Sequence, residues 1–130
     1  MNIGLGEGRR TILLVDSDPH ARAVLRNALE AAGFTVGEAA SGREGERTAL
    51  RVKPDAILAD LMMETIDAGG AFAERLRELG SRIPVYIVSA ASDALVGAVG
   101  LHELGISGVF LKPGDPAVIV RTLKTRLGVG

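Results

Sequence analysis

The fold class predicted for this chain is an open parallel sheet of five strands in the order 2-1-3-4-5, doubly wound, with helices on both faces. Three observations predict it. Short apolar runs alternate strictly with helix-patterned segments along almost the whole sequence, and such alternation implies right-handed crossovers and a parallel sheet. At 130 residues the chain is too short for an eight-unit barrel, which leaves the open sheet. The stretch from Pro54 to Met63 holds a continuous apolar run, Ala56-Ile57-Leu58-Ala59, of the kind buried on both faces, and it delivers a carboxylate, Asp60, at its far end.

The elements follow in order. Ile12-Leu13-Leu14-Val15 is a first strand closed by Asp16, and Asp18-Pro19 then supplies an N-cap and a proline at the first helical position. That helix, about Pro19 to Ala32, sets Ala21, Val24, Leu25, Ala28 and Leu29 along one face, and Gly33 stops it. Phe34 to Ala39 is a second, weaker strand. Ser41 with Glu44 spells a capping box for a helix to about Val52 that reads as polar and weakly patterned. After the central strand comes a turn-like segment, Met63 to Gly70, then a helix from about Ala71 to Leu79 ended by Gly80. Ile83 to Ser89 is the fourth strand. Ser92 caps a helix containing Leu95, Val96, Val99, Leu101 and Leu104, loosened by Gly97 and Gly100 at about 1 kcal/mol each against alanine. Val109 to Leu111 is a short fifth strand leading to Lys112-Pro113. Asp115-Pro116 opens a last helix with Ile119, Val120, Leu123 and Leu127 inward.

Composition excludes several classes. With 47% hydrophobic and 24% charged residues the chain can fill one core, and its net charge of −1 comes from mixed signs with no basic block, so no direct nucleic-acid partner is expected. The sequence has no cysteine, hence no disulfide framework, thiolate zinc site or thiol nucleophile. No apolar run approaches the ~20 residues that cross a bilayer, so no membrane insertion is expected. Met1 to Arg10 lacks the apolar centre of a secretory signal and reads as a flexible leader, and a cytoplasmic location is expected.

In the order 2-1-3-4-5 strands 1 and 3 adjoin at the switch point, where open sheets hold their ligands, so Asp16 is predicted beside Asp60. Ser89 and Lys112 close strands 4 and 5 on the same edge. Two neighbouring carboxylates repel unless a cation compensates, and an oxygen site with few protein ligands suits magnesium, which keeps several waters and bridges to phosphate oxygens. A carboxylate also serves as a nucleophile toward phosphorus. A lysine and a serine hydroxyl beside it can neutralise and hydrogen-bond a transferred phosphoryl group. Taken singly, each of these residues is an ordinary turn or strand-end residue. His20 reads as a surface histidine, and so does His102.

Together, Ile12-Leu13-Leu14-Val15-Asp16, Pro54-Asp55 through Asp60-Leu61-Met62-Met63, Val88-Ser89-Ala90 and Leu111-Lys112-Pro113 resemble, in order, the four signatures of the bacterial response-regulator receiver domain. The likeness covers about Thr11 to Leu127. It implies a flavodoxin-like fold in which Asp60 is the phosphate acceptor, while Asp16, Asp60 and the Met62 backbone carbonyl hold Mg2+. It further implies that Ser89 is the switch hydroxyl and Lys112 the phosphate-pairing lysine, with a cis bond to Pro113. The implied partners are a sensor histidine kinase or histidine phosphotransfer protein and a downstream target protein. In that family the face of helix 4, strand 5 and helix 5 carries the output and can also pair two copies. The expected division is a leader over 1–10 and a receiver domain over 11–127, with no output domain unless the sequence is a fragment of a longer protein.

Three features depart from the family pattern. Ser17 stands where a second acid usually follows the first strand, which lowers the expected magnesium affinity. The turn Glu64 to Gly70 lacks the usual proline and is longer. Val109 holds the strand position that often carries a switching aromatic, with Phe110 beside it on the opposite face. Ser17 supports a rival reading, a pseudo-receiver that binds proteins without using phosphorylation. Val15-Asp16-Ser17-Asp18 also resembles the Asp-x-Asp of haloacid-dehalogenase-type phosphatases, although the chain is short for one and no later acidic pair follows.

Overall fold

Strands β1 (Thr11–Val15), β2 (Thr35–Ala39), β3 (Ala56–Asp60), β4 (Val85–Ala90) and β5 (Gly108–Lys112) pair in parallel in the order β2-β1-β3-β4-β5. Helices α1 (Pro19–Ala31), α2 (Gly42–Val52), α3 (Ala68–Glu78) and α4 (Pro116–Leu127) connect or follow them. The structure, a computed structural model, describes residues 9–60, 68–90, 106–112 and 115–129, with the backbone alone described at 68–71, 73, 89, 90 and 112. The helix expected after Ser92, with Val96 and Leu101, lies outside the described residues, as does most of the expected leader.

Strand alternation divides the core into two layers. Leu13, Val15, Ile57, Ala59, Val85 and Ile87 point to one face, where Ala49 of α2 and Phe72 and Leu76 of α3 cover them. Ile12, Leu14, Leu58, Tyr86 and Val88 point to the other, under Leu29 of α1 and Ile119 and Leu123 of α4. Phe110 joins this second layer and its ring stacks on Tyr86 at 5.5 Å between centroids, whereas Val109 turns outward. The central strand is buried from Ala56 to Ala59, as its uninterrupted apolar run requires.

Local chemistry sets the boundaries. Asp18 caps α1 by accepting from the His20 N–H at 2.9 Å, with Pro19 at the first helical position, and Asp115 and Pro116 repeat the device at α4, where the Ala117 N–H donates at 2.9 Å. Gly33, at φ 98°, turns the chain out of α1 in the left-handed region. The Ser41 hydroxyl accepts from the Glu44 N–H at 3.1 Å, while the Glu44 carboxylate accepts from the Ala40 N–H at 2.9 Å. The capping box is therefore real, but its return bond reaches one residue further back than usual. At the start of the sheet the Asp55 carboxylate accepts from the Thr11 N–H at 2.8 Å and ties the mouths of β1 and β3 together.

Four expectations need correction. Val24 is exposed rather than inward, because the buried stripe of α1 runs through Leu25, Leu29 and Ala32 and leaves Val24 at its margin. Helix α2 is two-faced, not weakly patterned: Gly45, Thr48 and Ala49 are buried, and a face of small residues escapes a search for large apolar ones. Helix α3 begins at Ala68, running through Gly69 and Gly70, since burial of Phe72 and Leu76 one and two turns on outweighs a glycine cost of about 1 kcal/mol each. Strands β4 and β5 each extend one residue further at the carboxyl end, to Ala90 and Lys112, because those two residues pair.

Lys53, the C-cap of α2, holds φ 53° and ψ 63°, a left-handed conformation that penalises any side chain. Lys53→Gly should raise stability by about 0.5–1 kcal/mol, the strain relieved less the added freedom of the unfolded chain. A rise in the urea midpoint without a change in slope is the expected reading; an unchanged midpoint would show that the strain at Lys53 does no more than offset the added freedom of the unfolded chain.

Candidate functional site

Each candidate residue owes its place to the strand that carries it. Val15 pairs with Ala59, so the next residues, Asp16 and Asp60, stand side by side at the carboxyl ends of β1 and β3. Asp60 pairs with Val88, which places Ser89 one residue beyond on β4, and Ala90 pairs with Lys112 at the end of β5. The structure thus brings Asp16, Asp60, Ser89 and Lys112 to one edge of the sheet, on four adjacent strands. Met62, Pro113 and His102 lie outside the described residues. His20 is exposed on α1, as expected of a surface histidine.

Asp16 is buried, at 6% exposure, and Asp60 is half-buried. The Asp16 N–H donates to the Ala39 carbonyl at 3.0 Å, extending the β1–β2 ladder by one bond. Its carboxylate oxygen Oδ1 accepts from the Asp18 N–H at 2.8 Å, a tight turn that fixes the side chain. Because Asp18 spends its own Oδ1 on the helix cap, it does not simply stand in for the acid replaced by Ser17. Ser17 itself is exposed at the turn.

A clamp behind Asp16 had no sequence signal. The Arg22 guanidinium donates through Nη1 to the Asp16 backbone carbonyl and through Nε to Glu38 at 3.1 Å, and Glu38 also receives Arg26, which pairs in turn with Glu30. The hydrogen bond that Arg26 donates to Glu38, reinforced by the charge of Glu30, raises the Arg26 guanidinium further above its already high value, so Arg26 remains charged. Glu38 meets α1 only because Leu14 pairs with Glu38 across β1 and β2, and a polar strand residue gives no hint of that register.

Comparison with known proteins agrees with this geometry. The response regulator receiver domain family matches residues 12–124. The transcriptional regulatory protein PrrA of Mycobacterium leprae is 34% identical over 127 residues, which are 98% of this chain and 53% of that protein. GlrR of Escherichia coli, also a transcriptional regulatory protein, is 32% identical over 116 residues, 89% of this chain and 26% of its own length. The chain spans about half the length, or less, of these curated relatives. Among solved structures, the receiver domain of a sensor histidine kinase of Pseudomonas aeruginosa superposes with a TM-score of 0.80 at 30% identity, covering 93% of this chain and 99% of that one. That structure carries a magnesium ion coordinated in its active-site cleft. The chemotaxis response regulator CheY4 of Vibrio cholerae gives a TM-score of 0.79 at 25% identity, covering 90% and 98%. With the signature residues on one sheet edge and a family match over most of its length, the chain belongs to the response-regulator receiver domains.

Proposed function

We propose that this receiver accepts a phosphoryl group on Asp60 from a phosphohistidine of a sensor kinase or phosphotransfer protein, and that the change alters its binding to a downstream target. The convergence of Asp16, Asp60, Ser89 and Lys112 at one sheet edge carries this reading. A carboxylate oxygen of Asp60 attacks phosphorus, the O–P bond forms as the N–P bond of the phosphohistidine breaks, and the electron pair returns to the imidazole. Lys112 is assigned to charge on the phosphoryl group and Ser89 to a hydrogen bond with one of its oxygens.

The donor set fits magnesium in a weakened form. Asp16 and Asp60 would supply two carboxylates and Met62 a carbonyl, while Ser17 would offer only a neutral oxygen, few enough ligands for an ion that retains its water. Bound there, magnesium would offset the negative charge shared by the two acids and the phosphoryl oxygens. Ser17→Asp should raise magnesium affinity about tenfold by adding ligand charge, and isothermal titration measures it. Unchanged affinity would place residue 17 outside the metal site.

Ser17 also favours a second reading, in which the domain binds its partner without phosphorylation. Intact mass after incubation with acetyl phosphate separates the two. One added phosphoryl group that requires magnesium supports the acceptor role. No gain at high magnesium, in folded protein, leaves the phosphorylation-independent module.

A further inference from the structure

The edge of the sheet opposite Asp16 and Asp60 carries a cluster of arginines. A cavity of about 340 Å3 there is lined by Arg77, Arg82 and Arg126 together with Ser81 and Ser107. These arginines come from three places: the last turn of α3, the connection from α3 to β4, and the last turn of α4. A second cavity of about 370 Å3 shares Leu76, Ser81, Arg82 and Ile83 with the first and continues it past Lys53, Leu50 and Leu79. Among the described residues no acid lines either cavity. Leu50 and Leu79 are 52% and 43% exposed, so the apolar half of the groove faces water.

The simplest alternative is that the arginines answer the negative ends of helix dipoles. That holds for Arg77 and Arg126, which sit in last turns, but not for Arg82, which follows α3. The last carbonyls of α3 are moreover already taken, Leu76 accepting from the Ser81 N–H and Arg77 from the Gly80 N–H, each at 3.0 Å. Neither Arg82 nor Arg126 is ion-paired with a described residue, whereas Arg22, Arg26 and Arg75 all are.

We propose that this groove docks an acidic segment of a partner protein that also carries leucine-like side chains, with carboxylates on Arg82 and Arg126 and an apolar side chain between Leu50 and Leu79. Guanidinium forks match carboxylates in pairs of hydrogen bonds, and an apolar anchor beside them supplies the desolvated centre that such interfaces need. A nucleic-acid backbone would satisfy the arginines and leave the leucines in water. A second copy joined by a two-fold axis would set like charges against one another.

The test uses a fluorescein-labelled helical peptide of glutamate and leucine, read by anisotropy at physiological salt. Two control peptides carry lysine for glutamate or serine for leucine. Micromolar binding is expected for the first peptide only, weakened at least about tenfold by Arg82→Glu with Arg126→Glu and likewise by Leu79→Ser. All three positions are exposed, urea unfolding checks that each variant is folded, and phosphoryl uptake at the opposite edge should be unchanged. Binding that survives the double charge reversal would overturn the proposal. Equal binding of the serine-for-leucine peptide would do so too, as mere charge attraction. So would self-association, or adsorption to phosphatidylserine vesicles, that is lost in the same variants while the peptide fails to bind.

Discussion

Asp60→Asn is expected to abolish phosphoryl uptake from acetyl phosphate while leaving the domain folded. The amide matches the carboxylate in size, so the end of β3 keeps its pairing with Val88 and its place beside Asp16. What it loses is the negative charge that makes a carboxylate oxygen a nucleophile toward phosphorus. Removing one of two neighbouring carboxylates also relieves their repulsion, so the urea midpoint should hold or rise slightly. Intact mass shows the first effect and equilibrium unfolding the second. A variant that still gained one phosphoryl group would move the acceptor to another residue and detach the sheet edge from the chemistry.

Gly45→Val should cost about 3 kcal/mol or more, the largest loss of stability expected from a single substitution outside the large core side chains. Gly45 lies on the buried face of α2, where an added Cβ would stand 2.9 Å and 3.0 Å from the two Val15 methyls and 3.1 Å from the Phe72 ring. Neither neighbour can yield readily: Val15 is fully buried and stiff at its branched Cβ, and Phe72 is wedged between α3 and the sheet. Even Gly45→Ala should destabilise by about 1 kcal/mol, because overpacking of 1–3 kcal/mol exceeds the helix preference of alanine. The same collision pushes on the residue before Asp16, so phosphoryl uptake should slow as well. Pairing Gly45→Ala with Val15→Ala should return part of the loss, with a coupling of about 1 kcal/mol in a double-mutant cycle. Strict additivity of the two would mean that α2 shifts freely and that the contact does not constrain the site.

Much of this was legible in the sequence because the signals were short-range. The β-branched run before Asp16, the Asp-Pro starts of α1 and α4, and the uninterrupted apolar centre of β3 each specify one local conformation, and their strict alternation leaves few topologies. The four signature positions follow once the strand order is known, since each lies at or within one residue of the carboxyl end of a strand. What escaped was set by contacts between elements. The amphipathic character of α2 rests on Gly45, Thr48 and Ala49, whose smallness matters only against Val15 and Phe72. The early start of α3 reflects burial two turns downstream rather than the glycines at its head. Arg22 and Glu38, far apart in sequence, meet behind Asp16 through the register of β1 with β2, which no local pattern encodes.

Whether Asp60 carries the phosphoryl group is read by reductive trapping: the wild-type chain, phosphorylated with acetyl phosphate and magnesium, is treated with borohydride, digested and mapped by mass. An acyl phosphate on an aspartate is reduced to homoserine, so a single homoserine is expected at position 60. Homoserine at Asp16 or elsewhere, or a phosphoryl group that resists borohydride as an ester on Ser17 or Ser89 would, would contradict it.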